Sequence, residues 1–557
     1  MAGAIALGSL RVIATYTVFN HTVDEPAHIA CGMEWLDHGT YRMEDQHPPL
    51  ARVMVALGPY LSGIRSQGVW DKDPGQAGMY SEGQYIYYAG DHYGLTLVLA
   101  RLGILPFFWI ACLAVYFWAH RFFGTPTAVV SVGLFSFLPA VLAHAGLGTT
   151  DMALTAMLGA TFVAMLAWLE NPTWRLTVLF GVAGGLAVLS KFSVLAFFPA
   201  AVAAALLAYL VGGWPGFRGL FDHAKRLALP LVAAGGVAAL VVWAGYRFHF
   251  GPSIWPGVSL PAPELWSGIR SVMEHNRTGH LAYLLGEHKV FGWWYFFPVV
   301  LAVKTPLPFL ALAGIGAVVS LARWRQMRGA HLVPLGFTLA ILGVGMAGHI
   351  NVGLRHILPI YMGLAIVAAV GTVRLYEWAR GGSWIETVLA ILYNRGWVAQ
   401  QLLALPGKRA PRSTWANITL LVLVSWFALT SLAAHPDYLP YFNFIAGDQP
   451  ERIVADSDLD WGQDMTRLGT RLRELGAASV TFQPLVFDFY DRRGLPPINF
   501  GSPLAPAPGW NAVSITLWKV MRMGVNPPNT PWPDRTTLKP VERVGKGMLL
   551  YYLPPGR

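Results

Sequence analysis

The stretch TTDMALTAMLGATFVAMLAWL, residues 149–169, decides how this chain is read. From Met152 to Leu169 it carries no charge, and with Asp151 it has the length that crosses a bilayer core. One acid, Asp151, stands at its start behind Thr149-Thr150. The same kind of run recurs along the chain. The window-length rule predicts eleven spans, near 2–19, 95–118, 125–147, 151–169, 174–190, 192–212, 227–247, 292–321, 331–349, 356–376 and 415–434. Composition agrees: of 557 residues 54% are hydrophobic and 13% charged, where a soluble chain carries roughly a quarter charged. The expected class is an α-helical polytopic membrane protein.

The net charge of +10 lies in short loops between spans, which is an insertion signal and argues against a nucleic-acid partner. With the N-terminus in the cytoplasm, the cytoplasmic connections hold Arg121, Arg175, Arg218, Lys225, Arg226, Arg323, Arg325, Arg328, Arg374, Arg380, Arg395, Lys408, Arg409 and Arg412. Against them stand only Glu170, Asp222, Glu377 and Glu386. The loop 20–93 reverses the balance, with ten acids from Asp24 to Asp91 against Arg42, Arg52, Arg65 and Lys72. That asymmetry places 20–93 outside, in an inner (plasma) membrane. Cys31 and Cys112, in a loop and a span, form no disulfide framework. No cleavable signal peptide is expected. Arg11 in the short first segment implies either a start lying outside this sequence or a tilted span with a partner for the guanidinium.

Three regions lie outside the spans on that outer side. Loop 20–93 is expected to form interfacial helices, and loop 248–291 is rich in Pro, His and Arg. The tail 435–557 is long enough for a small α/β domain beside the transmembrane domain 1–434. It reads as a strand at Ile453-Val454-Ala455, a helix Trp461–Leu475, and strands near 478–485, 512–518 and 547–552. Asp460 and Gln463 have the spacing of a helix cap. Residues 381–414 read as a cytoplasmic linker with an interfacial helix through Trp384 to Leu392.

Several side chains carry possible chemistry. In Asp24-Glu25-Pro26-Ala27-His28 a carboxylate at the membrane edge serves either as general base toward a hydroxyl or as a helix cap. Its company with His47, in Asp45-Gln46-His47-Pro48-Pro49-Leu50, favours the base. His47 on a rigid Pro-Pro turn either donates to a phosphate or sugar oxygen or merely enters a helix. Asp151 caps its span or binds substrate. Lys191, Arg355 and His356 at the outer ends of spans hold a lipid phosphate or snorkel. Lys304, before Thr305-Pro306 inside a span, is a functional candidate or a buried ion pair at a kink. Asp456-Ser457-Asp458-Leu459-Asp460-Trp461-Gly462-Gln463-Asp464 fails the EF-hand spacing, so it is an acidic turn or a binding site.

In this order these motifs resemble the protein O-mannosyltransferases of glycosyltransferase family 39, and more broadly the bacterial phospholipid-carrier-dependent glycosyltransferases and aminoarabinose transferases. The likeness continues through Leu189-Ser190-Lys191-Phe192, Ala282-Tyr283-Leu284-Leu285-Gly286-Glu287, Gly292-Trp293-Trp294-Tyr295 and Lys304-Thr305-Pro306. It ends with Arg355-His356-Ile357-Leu358-Pro359, Tyr441-Phe442-Asn443 and the acidic turn. The resemblance implies a membrane glycosyltransferase of type C fold that takes a hexosyl or pentosyl group from a polyprenyl monophosphate. The acceptor, a protein, glycan or lipid, stays open. It implies Asp24, with Glu25 beside it, as the catalytic base. The family's cationic phosphate ligands carry onto Arg355, and His47, Lys191, Lys304 and His356 are further candidates for the donor phosphate. Asp151, His28, Asp458 and Asp460 are the candidates for acceptor or sugar. No cofactor is fixed by the resemblance; a divalent metal stays open, with Gln46-His47 standing where the aminoarabinose transferases have Glu-Lys before the Pro-Pro. A multispan transporter of a lipid-linked or soluble sugar is the rival, favoured by Lys304-Thr305-Pro306 alone.

Overall fold

The computed structural model describes residues 1–212, 216–322, 329–381, 414–501, 507–520 and 539–555. The interfacial helix expected through Trp384 to Leu392 lies outside them. So do Arg323, Arg325, Arg328, Glu386, Arg395, Lys408, Arg409 and Arg412, and the side chains of Arg218 and Asp222.

Among the described residues six helices are long and apolar enough to span a membrane: Tyr93–Ser136, Asp151–Glu170, Val194–Val211, Ala224–Gly245, Ile360–Ala379 and Thr414–Ala433. Ala2–Ile13, Trp174–Ser190 and Val333–Ala347 are apolar but shorter. Departures from the expected spans have local causes. Gly124, at φ 81, breaks the helix that runs on to Ser136. The run 125–147 stops there because Pro139 holds Leu138 in an extended conformation, and a short helix Pro139–Ala145 follows. The run 292–321 is two helices, Phe296–Lys304 and Leu307–Ala322, bent by 115°. Thr305 before Pro306 is extended, as that dipeptide demands. Tight packing closes the bundle: a Cβ on Gly316 would meet the Val367 carbonyl at 1.8 Å, so only glycine lets Leu307–Ala322 lie this close to Ile360–Ala379. Arg11 has a partner, donating to the Ser431 hydroxyl at 2.9 Å and to its carbonyl.

Loop 20–93 forms the helices Glu25–Met33, Pro49–Leu61 and Gln76–Tyr88. Loop 248–291 forms the helix Pro263–Thr278 between two short hairpins. The tail carries a five-stranded sheet in the order Ile498–Phe500, Val480–Phe482, Gly509–Ser514, Met548–Leu553, Glu542–Val544. The first three run parallel and the last two antiparallel to their neighbours. The helix Met465–Glu474 packs on it through Leu468 and Leu472. Two expectations fail. Residues 453–455 are not a strand, and the helix starts after Asp464 rather than Asp460. Asp460 and Gln463 turn their side chains into the preceding bend, onto Gly462 N–H and Trp461 N–H. The bend thus continues to Asp464, where a helix from Trp461 was expected.

Candidate active site

The tail, loop 20–93 and residues 351–357 meet at one end of the bundle. Asp24 precedes the helix Glu25–Met33, yet its carboxylate makes no cap bond. It accepts instead from Arg355 Nη1 at 3.0 Å. Arg355 stands in the single turn Leu354–Ile357 that precedes the span Ile360–Ala379. The same Nη1 lies 3.9 Å from Asp151 Oδ2, and Asp151 Oδ1 accepts from Lys191 Nζ at 2.6 Å. Lys191 sits in the break between the helices Trp174–Ser190 and Val194–Gly212. Four charges therefore alternate, Lys191, Asp151, Arg355 and Asp24, although up to 331 residues separate them in the chain. Asp151 is fully buried, whereas 26% of the Asp24 side chain is open to solvent. Arg355 lies 4.2 Å over the Trp461 ring. Among the described residues its Nε and the His356 Nε2 are buried without a hydrogen-bond partner, an arrangement suited to an anion with several oxygens.

Other expected site residues fall elsewhere. Glu25 is fully buried. Its oxygens accept from Arg101 Nε and Nη2 at 2.9 and 2.8 Å, from Gly148 N–H at 2.8 Å and from Thr22 N–H at 2.7 Å. Burial alone would raise this carboxyl, but Arg101 and the donated bonds bring it below the usual glutamate range. It has no oxygen free to meet a substrate, which corrects its placement beside Asp24 as a base. His28 accepts from Arg52 Nε at 3.1 Å, and burial followed by Arg52 holds it well below the usual histidine range. His47 contacts Glu44 at 3.1 Å and Arg52 at 3.3 Å. These two histidines stack edge to face in a cluster with the Glu44–Arg52 ion pair.

Lys304 donates to the carbonyls of Leu439 and Asp458, which ties the bent span to the tail and meets the need that a transport site would otherwise explain. That also corrects its expected role at the phosphate. Asp458 and Asp460, expected to face an acceptor, are buried: Asp458 accepts from Leu354 N–H at 3.1 Å and Asp460 from the Ser514 hydroxyl. Among the described residues no group of three His, Cys, Asp or Glu side chains is placed to hold a metal ion. The partners Arg101, Arg52, Glu44 and Trp461 escaped the sequence reading. Only Arg101 carried a usable signal, as an arginine within a span.

Residues 97–243 match the family model of the dolichyl-phosphate-mannose-protein mannosyltransferases. No curated protein matches the chain. Among solved structures, ArnT from Cupriavidus metallidurans bound to undecaprenyl phosphate aligns over 99% of this chain and 97% of its own, at 16% identity and a TM-score of 0.50. The Archaeoglobus fulgidus oligosaccharyltransferase in its apo form aligns over 93% and 70%, at 13% identity and a TM-score of 0.47. The chain thus shares the fold of ArnT, and residues 97–243 within it are similar to the mannosyltransferase family.

Proposed function

We propose that this protein moves a hexosyl or pentosyl group from a polyprenyl-phosphate carrier to a hydroxyl acceptor, a protein, glycan or lipid, on the outer side of an inner membrane. The N-terminus is cytoplasmic in this reading. Residues 1–434 form the transmembrane domain, and 435–557 an extracytoplasmic domain over the site. Asp24 takes the proton of the acceptor hydroxyl. The acceptor oxygen attacks the anomeric carbon, the bond from that carbon to the phosphate oxygen breaks, and polyprenyl phosphate leaves with the electron pair. One displacement inverts the anomeric centre. Arg355 and His356 meet the charge growing on the phosphate, which replaces proton donation to the leaving group. Lys191 acts one step removed, through Asp151.

The observation that carries this reading is the Asp24–Arg355 contact at 3.0 Å, one partner partly exposed and the other with a buried nitrogen that has no partner among the described residues. In this reading the contact sets a base beside a phosphate ligand at the membrane edge. Asp24→Asn keeps the shape and removes the base. Transfer of labelled sugar from a polyprenyl-phosphate donor by the purified protein should fall about 10²- to 10⁴-fold, with the fold and undecaprenyl phosphate binding retained. Near-normal turnover would transfer the role to another group.

A further inference from the structure

The turn Asp456–Asp464 has four acids; Asp456 accepts from its neighbour Ser457 N–H, and the other three are engaged with more distant segments. Asp460 accepts from the Ser514 hydroxyl and from Thr516 N–H at 3.2 Å, and its carbonyl accepts from the Thr516 hydroxyl at 2.6 Å. Asp464 accepts from Lys546 N–H at 3.3 Å and Gly547 N–H at 3.2 Å. These bonds fasten the turn to the sheet of the tail. The Asp458 carbonyl also accepts from Lys304, and Asp464 from Arg467 Nη1 at 3.1 Å. A further set of contacts points toward both halves of the Asp24–Arg355 pair.

On the arginine side, the Asp458 carboxylate accepts from Leu354 N–H at 3.1 Å, and Ser457 Oγ donates to the Val352 carbonyl at 2.8 Å. A Cβ on Gly353 would lie 2.6 Å from Ser457 Oγ, so the two segments are in close contact. The Trp461 ring lies beneath the guanidinium at 4.2 Å. On the aspartate side, the Trp461 carbonyl accepts from Val23 N–H at 3.1 Å, and the Gly462 carbonyl accepts from Asn20 Nδ2 at 2.7 Å. Asn20 Oδ1 returns an acceptor to Met465 N–H at 2.8 Å.

We infer that the turn 457–463 is a positioning element: Asp458, Ser457 and Trp461 hold the segment before and at Arg355, the carbonyls of Trp461 and Gly462 hold the segment before Asp24, and the tail thereby sets the distance between base and phosphate ligand. The inference rests on the roles proposed for Asp24 and Arg355. The acids of the turn act through the backbone they hold and do not touch a substrate. The separation matters because attacking oxygen and leaving phosphate must lie in line across one anomeric carbon, and a shift of about 1 Å from such a remote change costs up to about 10²-fold.

The test uses the full chain in lipid nanodiscs, with undecaprenyl phosphate as the binding probe and thermal unfolding as the control for folding. Asp458→Ala should weaken binding about 10-fold or more. Asp458→Asn keeps a carbonyl oxygen opposite Leu354 N–H and should recover most of the loss. In an Arg355→Ala background Asp458→Ala should add nothing, because its effect runs through Arg355. Additive losses in the double variant would overturn the inference, and so would unchanged binding by Asp458→Ala while Arg355→Ala binds poorly. Unchanged binding by Arg355→Ala alone would sink the phosphate role itself, a failure visible without touching the turn. If Asp458→Ala does not fold, Trp461→Leu enters the same cycle with the same expectations.

Discussion

Asp24 and Glu25 are neighbours in sequence, and each carboxylate meets an arginine, but the two pairs do different work. The Glu25–Arg101 pair is closed. Both side chains are buried, the guanidinium reaches both carboxylate oxygens, and two backbone N–H groups complete the shell. The Asp24–Arg355 pair is open, with a single short contact, a partly exposed acid and an unpartnered Nε. A saturated ion pair holds three segments of chain together, whereas an unsaturated one has bonds left for a substrate. The number of unmet hydrogen bonds, rather than the presence of charge, separates anchor from reactive group.

The largest effect should come from exchanging the two tests. Where Asp24→Asn is expected to remove transfer and leave stability, Glu25→Gln should do the reverse in kind. It leaves Arg101 charged and buried without a counter-ion, at a cost of about 3–5 kcal/mol, visible as a lowered midpoint in thermal or denaturant unfolding. A Glu25→Gln protein of unchanged stability would erase the distinction. Next, Arg355→Ala should weaken undecaprenyl phosphate binding by about 10- to 100-fold, as expected for charge-assisted hydrogen bonds. Arg355→Lys should fall between, since an ammonium offers a point charge where the guanidinium offers a fork. Equal binding by the alanine and lysine variants would mean that the fork geometry is unused.

The smallest effect is one of pH, and the same comparison sets its sign. The depressed Glu25 carboxyl contributes stability that is present above the ordinary glutamate range and is lost as pH falls through its own lower value. Asp456 behaves oppositely. Burial pushes its carboxyl up to about 7, against the Ser457 N–H and Arg355, which favour the charged form. Its contribution is full below the ordinary aspartate range, near about pH 4, and is lost as pH rises through about 7. Asp456→Asn should therefore flatten the stability profile between those values and leave the acid limb intact. An unchanged slope in the Asn variant would locate that titration elsewhere.

Legibility in the sequence followed the range of the forces involved. The spans were readable because burial in a bilayer acts on each run of residues by itself. Pro306 was visible as a kink, whereas the span expected over 125–147 ran through Pro139; the bend of 115° and the break both depended on how the freed ends pack. Asp24, Asp151, Lys191 and Arg355 stood out as charges at span ends, and all four meet in one row. Glu25 looked the same locally, and only Arg101, 76 residues on, removes it from the site.

By itself the sequence determined that the chain spans a membrane many times, that acidic and basic connections segregate, and that a few charges lie where apolar runs end, because hydropathy and charge are sums over neighbouring residues. The tertiary structure alone decided which of those charges pair, which carboxylate keeps an unmet bond, and that the acidic turn faces inward onto 352–355 and 20–23. Those outcomes depend on contacts over hundreds of residues, where a shift of one ångström changes a hydrogen bond into none.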